Sequence, residues 1–229
     1  MRFDSIPQLL QEFRDGAPPQ VRVIDYQTFD EFYNAYHACI DKHFTDLHNN
    51  LDDAHNHGNA APFLSIFVED CIERGRGYYR RGPEYCVSAL HAGGLPDAAN
   101  SLLVIKKMIY EDKFMTLNEF TGILKNNWEG NEALRRMVMN RFDFYGNDKD
   151  EADEMLVKLY NDYTGVVGTV KERNGVKRPA GISTFARELE WLPDRKASPC
   201  GAKQDAVLAR QQAEKKLFGD FFRAGINNP

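Results

Sequence analysis

Cys71 and Glu73, spaced as Cys-x-Glu in the segment DCIERGR, are the residues best suited by type and spacing to do chemistry. A thiol two positions from a carboxylate can carry a hydrogen atom, or attack as a nucleophile, beside an acid–base group. The competing expectation is packing, because a cysteine in an apolar run is ordinarily a small buried hydrophobe. Cys86 stands in an alternating stretch, Tyr85, Val87 and Ala89 against Cys86, Ser88 and Leu90. That alternation predicts a strand from Glu84 to Leu90 and would let the thiol face either a lumen or a core. Packing is again the expectation, and no catalytic, cofactor-binding or metal-binding residue is assigned.

The histidines are His37, His43, His48, His55, His57 and His91, five of them in one helix and its exit loop. None shows the i, i+4 pairing of a helical zinc site and HEXXH is absent, so surface or capping roles are expected. Asp148, Asp150, Glu151, Asp153 and Glu154 suggest calcium, but the Gly and Glu positions of an EF-hand loop are not met. Carboxylates drawn to a helix N-terminus explain them. Arg74, Arg76, Arg80 and Arg81 interleave with Tyr78 and Tyr79, the residue types that grip phosphates and stack on bases. The net charge of −5 opposes a nucleic-acid role, which requires a basic face.

The 229 residues, 42% apolar and 12% aromatic against 28% charged, can build a sizeable core. Cys39, Cys71, Cys86 and Cys200 form no CxxC pair and the N-terminus carries no signal-like segment, which predicts a reducing cytoplasm. No apolar run approaches the ~20 residues needed to cross a bilayer.

The elements that must hold these residues are mostly helices. Ile6, Leu9, Leu10 and Phe13 predict a short one, stopped at Gly16, Pro18 and Pro19. Thr28 and Glu31 form a capping box ahead of the stripe Phe29, Phe32, Tyr33, Tyr36, Ile40, Phe44 and Leu47. Pro62 to Val68 reads as loop and short helix. Helices are further predicted from Pro96 to Asp112, from the Thr116–Glu119 capping box to Trp128, over Leu134 to Met139, and from an Asp148–Glu151 cap through Tyr163. Gly165 to Pro199 is expected to be loops with a strand near Ile182 to Phe185, and Gln204 to Phe222 to be helical. No internal repeat appears.

The stretch GGLPDAANSLLVIKKMIYEDKFMTLNEFTGILKNNWEG from Gly93, followed by YGNDKDEAD at Tyr145 to Asp153, resembles the glycyl radical enzymes of the pyruvate formate-lyase type. TFDEFYNAY at Thr28 and LSIFVEDCIERGR at Leu64 are similar to the family's preceding helix and the segment before its Gly-Gly turn. The resemblance covers about two thirds of the chain in one order, far more than a lone motif. It divides the sequence into a leading helix and linker over 1–27, a family-like segment over 28–199 and a divergent helical tail over 200–229.

The resemblance implies an α/β, helix-rich fold: part of a ten-stranded α/β barrel jacketed by helices, incomplete in this chain. It also implies an enzyme, usually a homodimer, in which a glycyl radical generates a thiyl radical that attacks substrate. Acyl transfer, dehydration, lyase and decarboxylase chemistries all occur in the family, and a radical S-adenosylmethionine activase installs the radical. The reactive cysteine loop, GCxE, and the radical glycine loop, RVxGY, have no counterpart in this sequence. Arg22-Val23 runs into Ile24-Asp25, and Gly219 and Gly225 lie in FGDF and RAGI. LPDRKASPCGAKQD at Leu192 to Asp205 is similar to a compressed PDGRKAG to SPxxGxD stretch. In the resemblance, DCI around Cys71 aligns with a structural segment. The expected roles are therefore a truncated, split or degenerate radical enzyme that is incompetent alone, with a complementary chain as the expected partner of a split one, or a non-enzymatic helical interaction module or subunit pairing with a full-length relative.

Overall fold

A computed structural model describes residues 26–50, 60–173, 175–182 and 197–203. The helices expected over Ile6–Phe13 and Gln204–Phe222 lie outside these residues, and of the strand expected from Ile182 to Phe185 only Ile182 is described. Six α-helices are described: α1 Phe29–Asn50, α2 Pro62–Phe67, α3 Leu95–Ile105, α4 Leu117–Lys125, α5 Glu132–Arg141 and α6 Asp150–Val167. Five strands of two or three residues join them: β1 Cys86–Val87, β2 Leu90–Ala92, β3 Glu172–Arg173, β4 Val176–Lys177 and β5 Ala180–Ile182. The architecture is helix-rich α/β, and no closed barrel is formed among the described residues.

By contact the chain divides into two compact units. Among the described residues, one holds the start of α1, through Tyr36, together with 93–159 and 197–203; the other holds 37–50, 60–92, 160–173 and 175–182.

In the first unit α1 begins as its sequence dictates. The Glu31 amide donates to Thr28 Oγ1 at 3.2 Å and the Thr28 amide donates to Glu31 Oε2 at 3.2 Å, closing the capping box. Phe29 and Phe32 then pack against Tyr110, with ring centroids 6.0 and 6.1 Å apart. Tyr110 lies in the six-residue π-helical stretch Lys106–Glu111 that continues α3. Eight of the eleven α3 residues are buried, which makes it the axis of this unit. α4 carries the second capping box, Thr116 with Glu119, and the two hydrogen bonds from Thr116 hold the Glu119 carboxyl below its ordinary range.

One expected cap is not made. Asp148 takes a left-handed φ of 56° and α6 starts at Asp150, so the Asp148 side chain does not cap it. Glu151 instead pairs with Lys107 and, at 3.8 Å, with Lys106, so its carboxylate is spent between helices.

Tyr110 offers a test of this packing. Its hydroxyl is buried with no hydrogen-bond partner among the described residues, and burial, with Tyr26 and Glu31 nearby, raises its pKa from 10.0 to about 12. A group raised in the folded state contributes stability that is fully present below its unfolded value and is lost as pH rises through the folded one. Stability should therefore fall between pH 10.0 and about 12. In a phenolate absorbance titration, Tyr110→Phe should remove one late-titrating tyrosine; an unchanged curve would show that Tyr110 is not held in this way.

Candidate functional site

In the second unit Cys86 and His91 lie on short strands that pair in two small sheets. β1 pairs with β4 (Cys86 with Val176) and β2 with β5 (Leu90 with Ala180, His91 with Gly181, Ala92 with Ile182), both parallel, while β3 pairs antiparallel with β4. The single strand expected from Glu84 to Leu90 is thus two pieces, and the second runs on to Ala92. The break has a local cause: Pro179 lies between β4 and β5 and has no N–H to donate. Its carbonyl still accepts from the Leu90 amide at 3.2 Å, and the Lys177 carbonyl accepts from Ser88 at 2.9 Å, carrying the pairing across the gap.

Tyr163, from α6, is set into this sheet. Its hydroxyl lies 2.6 Å from the Leu90 carbonyl and 2.8 Å from the Gly181 carbonyl, to which it can donate, and accepts from the Gly181 amide at 3.3 Å. Burial raises its pKa, partly offset by backbone amides of Gly181 and Ala92, so the phenol keeps the proton it donates. The ring is fully buried and sits 5.2 Å from Phe44 of α1. On β2, Leu90 and Ala92 are buried while His91 between them is exposed. The His91 ring covers Gly181, where an added Cβ would meet Nε2 at 2.8 Å and Cε1 at 2.9 Å.

The sequence candidates fall differently from their motifs. Cys71 is buried and its sulfur lies against Gly82, whereas Glu73 is exposed, so the Cys-x-Glu pair presents no thiol and carboxylate to a common space. Cys86 is also buried, its thiol donating weakly to the Pro83 carbonyl at 3.8 Å. Cys200 lies in the first unit, 3.1 Å from Ser198 Oγ, with its pKa pushed up by burial. Of the surface or capping roles expected of the histidines, His48 takes no surface one: it is buried, with Nε2 3.3 Å from the carbonyl of Val167, the last residue of α6. No cluster of three potential metal ligands occurs among the described residues. His55 and His57 lie outside them. Of the basic run, Arg74 donates to the Pro83 carbonyl at 3.2 Å and the Arg81 guanidinium packs against Gly175.

Two residues that sequence reasoning passed over are structurally central. Arg178 is buried in the link between β4 and β5, where motif reading gives no warning, since arginine is rarely buried. Trp128, read only as the end of a helix, anchors the segment 197–203 in the first unit: its Nε1 donates to the Ser198 carbonyl at 3.2 Å. Arg135 Nε donates to the Gly201 carbonyl at 2.7 Å and Lys203 pairs with Glu132, whose carboxyl is held below its ordinary range mainly by that bond. In the second unit the described residues thus supply short parallel strand pairs held by the buried Tyr163.

Comparison with known proteins places this geometry. The family described as "Pyruvate formate lyase-like" matches residues 12–190. The chain is 30% identical over 187 residues to (2S)-3-sulfopropanediol dehydratase of Klebsiella oxytoca, covering 78% of the chain and 22% of that protein. It is 30% identical over 150 residues to trans-4-hydroxy-L-proline dehydratase of Clostridioides difficile, covering 61% of the chain and 18% of the relative. Among solved structures, that of 1,2-propanediol dehydration in Roseburia inulinivorans superposes with a TM-score of 0.74 at 26% identity, over 89% of this chain and 27% of that one. The glycerol-bound B12-independent glycerol dehydratase from Clostridium butyricum superposes at 0.76 and 24% identity, with the same coverage, a likeness of fold. The chain therefore spans about a quarter or less of the length of these relatives. Among the described residues no helix is long and apolar enough to cross a membrane.

Proposed function

The chain belongs to the pyruvate formate lyase-like family of glycyl radical enzymes, and from that premise we propose that it forms one segment of barrel wall in an enzyme of the dehydratase or lyase type. The observation that carries the reading is the unbroken family match over residues 12–190, joined to the parallel pairing of β1–β2 with β4–β5. Parallel strands of this kind occur almost only in sheets covered on both faces by helices. That is the setting the resemblance implies, a ten-stranded barrel inside a helical jacket. The relatives named as dehydratases favour cleavage of a carbon–oxygen bond as the reaction of the whole.

The residues of this chain do not fit the radical itself. It has neither the reactive-cysteine loop nor the radical-glycine loop, and its best Cys-x-Glu has a buried thiol. Its contribution is the wall: Tyr163 and Gly181 fix the strand pair, Trp128 fixes the segment 197–203, and the chemistry requires groups from elsewhere, with a radical S-adenosylmethionine activase to install the radical. A homodimer and a cytoplasmic setting go with this reading.

The test is a graft. Residues 28–199 replace the matching stretch of the Clostridioides difficile dehydratase, which keeps its own cysteine and glycine loops. The graft, treated anaerobically with its activase and S-adenosylmethionine, should show a glycyl radical by electron paramagnetic resonance; the isolated chain should show none. A graft that folds and dimerises like its parent yet never holds the radical would sink the reading. The second reading, a helical module that only pairs with a relative, is favoured by the exposed apolar helix α2 and would be left standing by that result.

A further inference from the structure

An open groove of about 520 Å³ runs along α4 and the turn that follows it, inside the first unit. Its volume lies within the ~300–1,000 Å³ usual for small-ligand sites. Phe114, 52% exposed, Met115 and Ile123 give it an apolar lining. Gly122 belongs to the lining too, and there the helix backbone is bare. A Cβ built on Gly122 would meet no atom within 4 Å, and its φ is not left-handed, so neither a close approach nor a turn of the backbone requires glycine. A glycine inside a helix costs stability relative to alanine. The space above Gly122 is left unused by the fold.

The polar side chains around this space present acceptors. Glu119 spends Oε2 on the capping box, taking the Thr116 amide and hydroxyl each at 2.8 Å, and Oε1 has no part in it. Those bonds hold the carboxyl below its ordinary range, so it is ionised at neutral pH. Asn126 and Asn131 both donate Nδ2 to the Glu129 carbonyl, at 3.3 and 3.2 Å. A carbonyl only accepts, so each amide nitrogen faces it and each Oδ1 is turned away. Among the described lining residues Glu119 alone is charged. An anion finds no cation here, and the capping box already occupies the start of α4, the place that would otherwise draw one. A cation finds a carboxylate, two amide oxygens and a half-exposed aromatic ring, whose face attracts positive charge.

We infer that this groove is a binding site for a small organic ammonium, an aromatic or short alkyl group carrying one protonated amine. The N–H donors of the ammonium go to the Glu119 carboxylate and to the Asn126 and Asn131 oxygens, a charge-assisted set. The hydrocarbon lies over the bare backbone of Gly122, against Phe114, Met115 and Ile123. The site is made wholly by residues of the stretch 114–131, and so stands whether or not the chain serves as barrel wall.

The experiment titrates the full chain with 2-phenylethylammonium chloride and follows the side-chain amides of Asn126 and Asn131 and the backbone amide of Gly122 by nitrogen–proton NMR. These signals should shift saturably, with 2-phenylethanol binding at least tenfold more weakly and phenylacetate not at all. Gly122→Leu should fold, with a thermal midpoint at or above the parent's because a helical glycine is replaced, and should lose the response. Glu119→Gln, which keeps a side chain suited to the capping box, should weaken the ammonium at least fivefold and leave the alcohol unchanged. No saturable shift up to about 10 mM would overturn the site. So would equal binding of ammonium and alcohol, tighter binding of phenylacetate, or undiminished binding by Gly122→Leu. A response only to a lysine-rich peptide would make the groove a protein contact and overturn it as a small-ligand site.

Discussion

Trp128→Ala should lower the unfolding free energy by about 4 kcal/mol, the range for removing a fully buried large aromatic side chain. The side chain is 0% exposed, stacks edge-on against Phe120 with centroids 5.6 Å apart, and donates to Ser198. Three losses coincide in the variant: the packed ring, the hydrogen bond, and the reason for an unusual backbone. Asn127 and Trp128 both sit at positive φ, 52° and 62°, a region that bulky residues avoid unless the surroundings over-determine it. Urea denaturation followed by circular dichroism measures the loss. Trp128→Phe, which keeps a ring and loses the donor, should recover a substantial part of it. A deficit under about 1 kcal/mol in Trp128→Ala would show that the corner does not depend on the indole.

Gly82→Ala is expected to cost about 3 kcal/mol and to expose a hidden thiol. A Cβ at this position would run into the Arg76 carbonyl oxygen and lie 2.7 Å from Cys71 Sγ. The oxygen belongs to backbone that is itself fixed by the Arg76 amide donating to the Cys71 carbonyl at 3.0 Å and by the Gly82 amide donating to Gly77 at 3.0 Å. The Arg76 oxygen cannot rotate aside as a flexible side chain would, so the loop must open; overpacking that moves backbone lies at the upper end of its usual 1–3 kcal/mol. Gly77→Ala is the control, since its Cβ would make only an ordinary 3.7 Å contact with Ser65 Oγ. The second readout is chemical. In the parent, the Cys71 thiol should react slowly with an aromatic disulfide reagent, and in Gly82→Ala it should react at least tenfold faster; Cys71→Ala in the same background identifies the thiol. Unchanged stability and unchanged reactivity would mean the loop is not closed over Cys71.

The helices were legible because their signals are local. Thr28 with Glu31, Thr116 with Glu119, and the spacing of Phe32, Tyr36, Ile40 and Phe44 each operate within a turn or two, and the structure places them as their sequence directs. The strands were legible only in part: Glu84 to Leu90 reads as one strand where the structure has two, because the pairing that divides it joins residues about 90 positions apart. Nothing around Leu90 announces that Ala180 will lie beside it, or that Pro179 will interrupt the ladder. Asp148 misled for a related reason: its type suits a cap, but the turn before α6 needs a left-handed residue there, and aspartate tolerates that conformation better than most. Which of the two roles expected of the histidines His48 would take was not legible, because its partner, the Val167 carbonyl at the end of α6, lies 119 residues away. Chemistry was legible mainly as a mismatch, since Cys71 and Glu73 agree in spacing and disagree in burial. Tyr163 looked like one more stripe residue, and only the long-range fold gives its hydroxyl a task.

That hydroxyl has a bearing on how so small a sheet knows its own alignment. Strands of three residues gain little from one pairing offset over the next, and sliding β5 by a single residue would turn every side chain to the opposite face. Here the choice is made from outside the strands. Displaced by one position, Ala180 or Ile182 would bring a Cβ beneath the His91 ring where only the bare Gly181 backbone fits, and Tyr163 would lose the amide and carbonyl it clasps. The helix carrying Tyr163 thus acts as an alignment key, so two three-residue strands inherit their order from an 18-residue helix.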